Sequence, residues 1–323
     1  MPIAVRSAAA LAILIAGALL APAPSAAAPA FKKEETAALF RLCIEKNNEA
    51  RTKVANVQYR LRENRAGNPA ENTVTKTGEV VSYLGNAFSD LLVTSQLATS
   101  DHGARKERVV YLANPEYKAE TTYAKATDGT FAPKACVVAP SVGQPDANRD
   151  DITLYAFEVV PHKSIADFYR PDDPSYRYEA ERDDSHGTIK LRIFRSSPQA
   201  CQPLQDVTVS TRQGYLITES TERYTCGKVG RKWIVEPKEV APGVWFPNKA
   251  IYMSFEEPKA PGQFGAPLLQ GTAVTDNVRL LLSFPEENFK LDSLKLPKDL
   301  ITTVRQPNWP GLSVTASNLG GGK

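Results

Sequence analysis

The chain has three histidines, His102, His162 and His186, and none lies in a catalytic motif. Asp184-Ser185-His186 holds the residue types of a hydrolase triad. Triad members converge in space from separate segments, so three consecutive residues cannot supply the geometry. The tripeptide reads as a turn ahead of a strand that starts at Thr188. There is no G-x-S-x-G elbow, no H-E-x-x-H, no phosphate loop and no G-x-G-x-x-G. Gly320-Gly321-Gly322-Lys323 is a terminal tail rather than a phosphate cradle. Carboxylates cluster at Glu179, Glu181, Asp183 and Asp184, and again at Glu256-Glu257. A glycosidase needs two carboxyl groups and no local motif, but charged turns explain both clusters more simply. The expectation is a protein without catalytic residues or a cofactor, with an exported hydrolase as the distant alternative.

Four cysteines remain as candidate chemistry: Cys43, Cys136, Cys201 and Cys226. An even count in an oxidising compartment points to two disulfides, and four cysteines allow three pairings. Cys201 and Cys226 flank two predicted strands joined at Gln213-Gly214, which favours that pair and leaves Cys43 with Cys136. No C-x-x-C or H-x-x-x-H spacing exists, so no metal site is expected.

The oxidising compartment is inferred from the N-terminus. Arg6 precedes an apolar stretch from Ala8 to Leu20, and an Ala- and Pro-rich segment follows. That order is a secretory signal peptide. Its apolar core, about 13 residues, falls short of the roughly 20 that span a bilayer. Cleavage is expected after Ser25 or Ala27, and no cysteine lies near for a lipid anchor. The assignment is 1–27 signal peptide, with a periplasmic or secreted product. No later segment is apolar enough to cross a membrane. Lys and Arg number 39 against 36 Asp and Glu. That balance excludes nucleic acid as a partner, since no strong basic field exists. The densest basic run, Arg105–Arg108, sits at a strand start.

The elements that would position a site follow from periodicity. Lys32 to Lys53 reads as a helix, with Leu39, Phe40, Leu42, Cys43 and Ile44 on its apolar face. From Val57 the period becomes two, with Val57, Tyr59 and Leu61 alternating with Gln58, Arg60 and Arg62. Further strands are predicted over 74–84, 87–95, 109–112, 118–126, 188–195, 206–211, 215–225, 232–237, 249–256 and 272–283. Residues 140–175 carry five prolines and a helical candidate at 164–169, and read as an insertion. The fold class expected is mainly β: a large curved antiparallel sheet of about 10 to 11 strands forming an open, incomplete barrel, with helices on its concave side. Residues 28–308 form one domain, and 309–323 a flexible tail.

The large apolar residues of these strands are either ordinary core or the lining of a cavity under the helices. Tyr59, Leu61, Tyr111, Ile193, Ile251, Met253 and Phe255, with Phe168 from the insertion, are the cavity candidates.

The late chain carries a family resemblance. Asp206–Thr218 (DVTVSTRQGYLIT), Gly243-Val-Trp-Phe-Pro ahead of the strand at Ala250–Glu256, and Phe289-Lys-Leu with Leu296-Pro-Lys-Asp make up its text. In these motifs, and in the order of its elements, the chain resembles the LolA/LolB-like proteins of outer-membrane lipoprotein sorting, a fold shared with a periplasmic sigma-factor regulator. The resemblance covers most of residues 32–304. It implies an open half-barrel capped by helices and non-catalytic binding of lipid, lipoprotein acyl chains or another hydrophobic ligand. The alternative it allows is an envelope regulator or scaffold that binds a protein. It brings no catalytic residues. The chain departs from the short carriers in its length, its Pro-rich insertion and its four cysteines.

Overall fold

Alternation of apolar and polar residues dominates the chain after its first helix, and the computed structural model folds that pattern into one sheet. The structure describes residues 33–67, 76–86, 90–96, 99–100, 107–140, 156–160, 163–196, 203–223, 229–256, 265, 267–280, 284–306 and 309–315. The predicted signal segment, His102, His162, Cys201 and Cys226 lie outside these residues.

Helix α1 spans Lys33–Lys53, within one residue of expectation. Glu34 and Glu35 in its first turn and Arg51 and Lys53 in its last complement the helix dipole. Its buried stripe is Thr36, Phe40, Cys43, Asn47 and Ala50. That spacing of four, three, four and three places all five on one face. Leu39, Leu42 and Ile44 flank the stripe and are half-buried against the core. A second helix, α2, is a single turn at Ile165–Phe168, where the insertion was expected to be helical.

The strands are β1 (Val57–Gly67), β2 (Lys76–Asn86), β3 (Asp90–Gln96), β4 (Thr99–Ser100), β5 (Glu107–Ala113), β6 (Tyr117–Lys125), β7 (Phe131–Pro140), β8 (Tyr176–Asp183), β9 (Thr188–Arg195), β10 (Gln205–Ser210), β11 (Leu216–Arg223), β12 (Val229–Ala241), β13 (Val244–Phe255), β14 (Pro267–Leu280), β15 (Ile301–Gln306) and β16 (Trp309–Thr315). They form one sheet in the order β16-β15-β7-β6-β5-β3-β2-β1-β14-β13-β12-β11-β10-β9-β8, with β4 pairing β2. Every pair is antiparallel except β15 with β7. The sheet does not close, and among the described residues β8 and β16 are its two edges. The first strand lies inside the sheet, between β2 and β14, so the chain builds outward from it in two directions.

Strands exceed the number expected for identifiable reasons. β7 contains Pro133 and β8 reads YRYEAERD, so neither shows a clean apolar alternation. Trp309–Thr315, expected in the tail, pairs with β15.

The sheet is buried on different faces along its width. Toward α1, Tyr59, Leu61, Ile189, Leu191, Ile193, Val207, Trp233, Phe246 and Ala250 join Phe40 and Cys43 in one core. Ala156–Val160 and α2 complete the cover. Across β5, β6, β7 and β15 the opposite face is buried as well. Val110, Leu112, Ala119, Thr121, Cys136 and Thr302 are each at most 3% exposed. They share a face because Leu112 opposes Ala119, Thr121 opposes Cys136, and Cys136 opposes Thr302. The following segment, with buried Phe284 and Phe289, ties to these strands through polar contacts. Asn114 Nδ2 donates to Phe289 O at 2.9 Å, and Leu291 N donates to Tyr117 OH at 2.7 Å.

Candidate functional site

Five of the eight cavity candidates lie on the α1 side. Tyr59, Leu61, Tyr111 and Ile193 belong to the core there, and Phe168 packs on its margin. The Tyr59 and Phe246 rings meet at 5.1 Å, tilted 54°. Lys163 Nζ sits 5.8 Å from the Phe168 ring centre.

Ile251 and Met253 are a correction. Ala250 and Tyr252 of β13 join the α1-side core, so alternation turns Ile251 and Met253 to the other face. Ile251 lies opposite Ile234 and Thr272, and Met253 opposite Lys232 and Gln270. Phe255 follows the same parity; it is buried but outside the α1-side core. Phe246 is the residue that sequence reasoning missed. Its signal lies in Gly243-Val-Trp-Phe-Pro.

That motif leads to the feature that organises the site. The β10–β11 turn and the β12–β13 turn both approach the C-terminal half of α1. Together they border a groove of about 230 Å³ lined by Lys46, Glu49, Ala50 and Lys53 from the helix, Thr211, Gly214 and Tyr215 from one turn, and Gly243, Val244 and Trp245 from the other. Two of the three late-chain segments that carry the family resemblance therefore meet in space.

Local chemistry explains how the turns hold their shape. Thr211–Gln213 forms a 3₁₀ turn, and Gly214 and Tyr215 then adopt left-handed conformations at φ 67° and 60°. Glycine takes that region freely, whereas a tyrosine there costs roughly 1–2 kcal/mol. Buried Asn47 holds it: its Nδ2 donates to Tyr215 O at 2.8 Å and to Ala156 O at 3.2 Å. Tyr215 N donates to Ser210 O at 2.9 Å. A Cβ on Gly214 would stand 3.2 Å from Trp245 Cδ1, so glycine also lets the indole lie close. At Gly243 the backbone N–H donates to Glu239 Oε1 at 2.7 Å.

Charge at the groove is nearly balanced. Lys46 Nζ donates to Glu49 at 2.8 Å, which raises the lysine pKa and lowers the glutamate's. Lys53 adds one further positive charge at the rim. Two aromatic side chains, one lysine–glutamate pair and one further cation suit an apolar group with a polar or anionic end. Of the polar side chains there, Glu49 is paired with Lys46 and the Thr211 hydroxyl donates to Gly187 O at 3.0 Å.

The triad-like tripeptide sits in the β8–β9 turn, as its sequence suggested. His186 Nδ1 lies 2.6 Å from Asp183 Oδ2 and 3.0 Å from Ser185 Oγ. Both partners reach the same ring nitrogen, so the imidazole cannot relay a proton from serine to carboxylate. The hydrogen bond from the Ser185 hydroxyl, followed by that from His186, holds the Asp183 carboxyl well below the usual carboxylate range. Of the carboxylate cluster, Glu179 and Glu181 are neutralised by arginines. Arg177 bonds Glu179, and Arg192 Nη2 reaches Glu181 at 3.4 Å. Among the described residues, no group of three or more His, Cys, Asp or Glu could hold a metal ion.

Cys43 and Cys136 are free thiols, which corrects the pairing that left them as a disulfide. The reason is topological. Cys43 lies in the core beneath α1, whereas Cys136 belongs to the layer on the other side of the sheet, against Thr121 Oγ1 at 3.4 Å. Burial pushes the Cys43 thiol up to about 12. Desolvation also raises Cys136, with hydrogen bonds from Thr121 and Thr302 opposing it.

No protein-family profile matches the chain, and no curated protein sequence matches it. Solved structures similar to it include three described below. A DUF1329 family protein from Desulfovibrio piger aligns at 12% identity over 80% of this chain and 98% of its own, with a TM-score of 0.39. A LolA superfamily protein from Nitrosomonas europaea aligns at 10% identity over 78% and 98%, TM-score 0.38. A putative outer membrane lipoprotein-sorting protein domain from Vibrio parahaemolyticus aligns at 9% identity over 79% and 99%, TM-score 0.40.

Proposed function

We propose that this protein is an exported, non-catalytic binding protein for a hydrophobic ligand, a lipid or a lipoprotein acyl chain. The observation that carries the reading is the groove at the end of α1. It opens beside a broad apolar wall on an unclosed sheet, and one long helix roofs much of that wall.

The roof is held partly by polar ties. Asn47 anchors it to two carbonyls, and Arg51 Nη2 stands 3.8 Å from Glu158 Oε1. A volume of about 230 Å³ is below the roughly 300–1,000 Å³ of sites that enclose a drug-sized molecule. The groove therefore takes the first part of the ligand, between Tyr215 and Trp245. The remainder enters beneath α1, where the half-buried Leu39, Leu42 and Ile44 give way. Lys53 at the rim receives a polar or anionic end.

Native mass spectrometry of the protein purified from its own compartment, followed by solvent extraction, tests this. A bound species of several hundred daltons, lost on extraction, is the expected result. A clean apo mass, unchanged after incubation with an acylated peptide, overturns it. That result would favour the protein-binding reading, for which one observation speaks. Val274 is 43% exposed on the face away from α1, the same face as Ile251 and Met253.

A further inference from the structure

Among the described residues the sheet ends at β8 with no strand beyond it, and β8 carries neither a proline nor a bulge to blunt that edge. Sheet edges are normally blunted by proline, bulges, short length or charged side chains, lysine above all, and the charges of β8 are of both signs and so able to pair with a second copy. β16, the opposite edge, contains Pro310, and its pairing with β15 shifts register between Val304 and Gln306. β8 has neither device. Its eight residues pair with β9 from Tyr176↔Arg195 to Asp183↔Thr188 without a shift. The sequence YRYEAERD contains no proline and no lysine.

The direction of the free backbone groups follows from one hydrogen bond. Ser196 N donates to Ser175 O at 2.8 Å, which makes residues 175 and 196 a hydrogen-bonded pair. By alternation Arg177, Glu179 and Glu181 bond inward to β9, and Tyr178, Ala180 and Arg182 point their N–H and C=O groups outward. Tyr176 N is already taken by Asp173 O at 3.2 Å.

We propose that β8 is a self-association edge, pairing antiparallel with β8 of a second copy about a two-fold axis through Tyr178. The charges select both partner and register. About that axis Arg177 of each copy stands opposite Glu179 of the other. The two residues form a non-hydrogen-bonded pair, in which Cα atoms approach to about 4.5 Å. Moving the axis to Glu179 sets that carboxylate against its own copy. Moving it to Ala180 sets Glu179 against Glu181. Only the register about Tyr178 gives two opposite-charge pairs and no like-charge pair within the paired stretch. On the other face Tyr176 meets Ala180, a large residue against a small one. Arg177 and Glu179 already bond within one chain, and Arg192 lies 4.0 Å from Glu179 and 3.4 Å from Glu181. Association therefore exchanges partners in a neutral cluster and buries no orphan charge.

Sedimentation equilibrium of the mature chain, from low micromolar to several hundred micromolar, tests the proposal. A monomer–dimer equilibrium is expected. Arg177→Glu or Glu179→Arg alone weakens it by roughly tenfold or more, because two attractive cross-strand pairs become repulsive. Mixing the two single variants restores assembly, since the edge of one then carries two carboxylates at these positions and the edge of the other two guanidinium groups. Unchanged thermal melting shows that the variants remain folded. A monomer at every concentration overturns the proposal, as do single reversals that dimerise like the parent. A monomer that instead captures an unrelated extended peptide along β8 overturns the second copy as the occupant.

Discussion

Asn47→Leu tests whether one buried amide holds the groove together. Asn47 is 2% exposed, and its Nδ2 serves both Tyr215 O and Ala156 O. Leucine has the same branching and the same number of side-chain heavy atoms but no donor, so both carbonyls lose their partner. A buried polar group left unsatisfied costs about 1–3 kcal/mol. The Tyr215 carbonyl is only partly buried and regains water in part, which lowers its share. Added apolar burial returns about 1 kcal/mol. The net loss is about 2–3 kcal/mol, equivalent to roughly 4–12 °C in Tm for a domain of this size. Urea unfolding measures it, with the m-value unchanged if only the native state is affected. The variant should also bind acylated peptide more weakly, because Tyr215 is then free to leave its left-handed conformation. Asn47→Asp sharpens the test. Its carboxylate faces two carbonyls at neutral pH, and protonation restores one donor, so this variant gains stability relative to Asn47→Leu on acidification. A change within about 0.5 kcal/mol for Asn47→Leu, the range of surface substitutions, would refute the reasoning.

Three further outcomes are expected. Tyr215→Gly removes roughly 1–2 kcal/mol of left-handed strain while losing a half-buried ring of comparable worth; denaturation should therefore move little while titration with acylated peptide shows clearly lower affinity. Cys43 should resist alkylation in the native protein at pH 8 and react once unfolded. Its folded-state pKa is raised, so the stability it contributes is complete below the unfolded value of about 8.5 and declines as pH rises toward about 12; mass spectrometry and alkaline unfolding check both halves. Asp183 has the opposite sign: its lowered pKa gives the β8–β9 turn a contribution present above the unfolded value of about 3.9 and lost on acidification below it. Asp183→Asn should flatten the acid limb of an amide-exchange profile across residues 182–188.

Periodicity carried the helix and most of the strands because each is amphipathic. β1 is the clearest example, with Val57, Tyr59 and Leu61 buried and Gln58, Arg60 and Arg62 exposed. β13 shows why candidate-site residues were placed less well. Its text, VWFPNKAIYMSF, is apolar on both parities. Side-chain size favours Ile251, Met253 and Phe255, whereas Ala250 and Tyr252 are the ones that meet the core. Parity in such a strand is decided by its neighbours, here Val235 and Ala273 opposite Ala250, and they are distant in sequence. The cysteine pairing failed for a related reason. Spacing along the chain says nothing of which side of a sheet a residue faces, and Cys43 and Cys136 lie on different sides.

The groove was legible only in pieces. Gln213-Gly214-Tyr215 reads as a turn, Gly243-Val244-Trp245 as another, and Lys46–Lys53 as the polar end of a helix. The left-handed Tyr215 has no sequence signature, because tyrosine is a residue a turn would ordinarily exclude. What permits it is Asn47, a buried amide 168 positions earlier. A buried asparagine amide on a helix face is costly unless its donors are used, so Asn47 was a residue of α1 that called for a partner. The physical link runs from that amide to the turn, from the turn to the open space beside Trp245, and from that space to the binding role proposed for it.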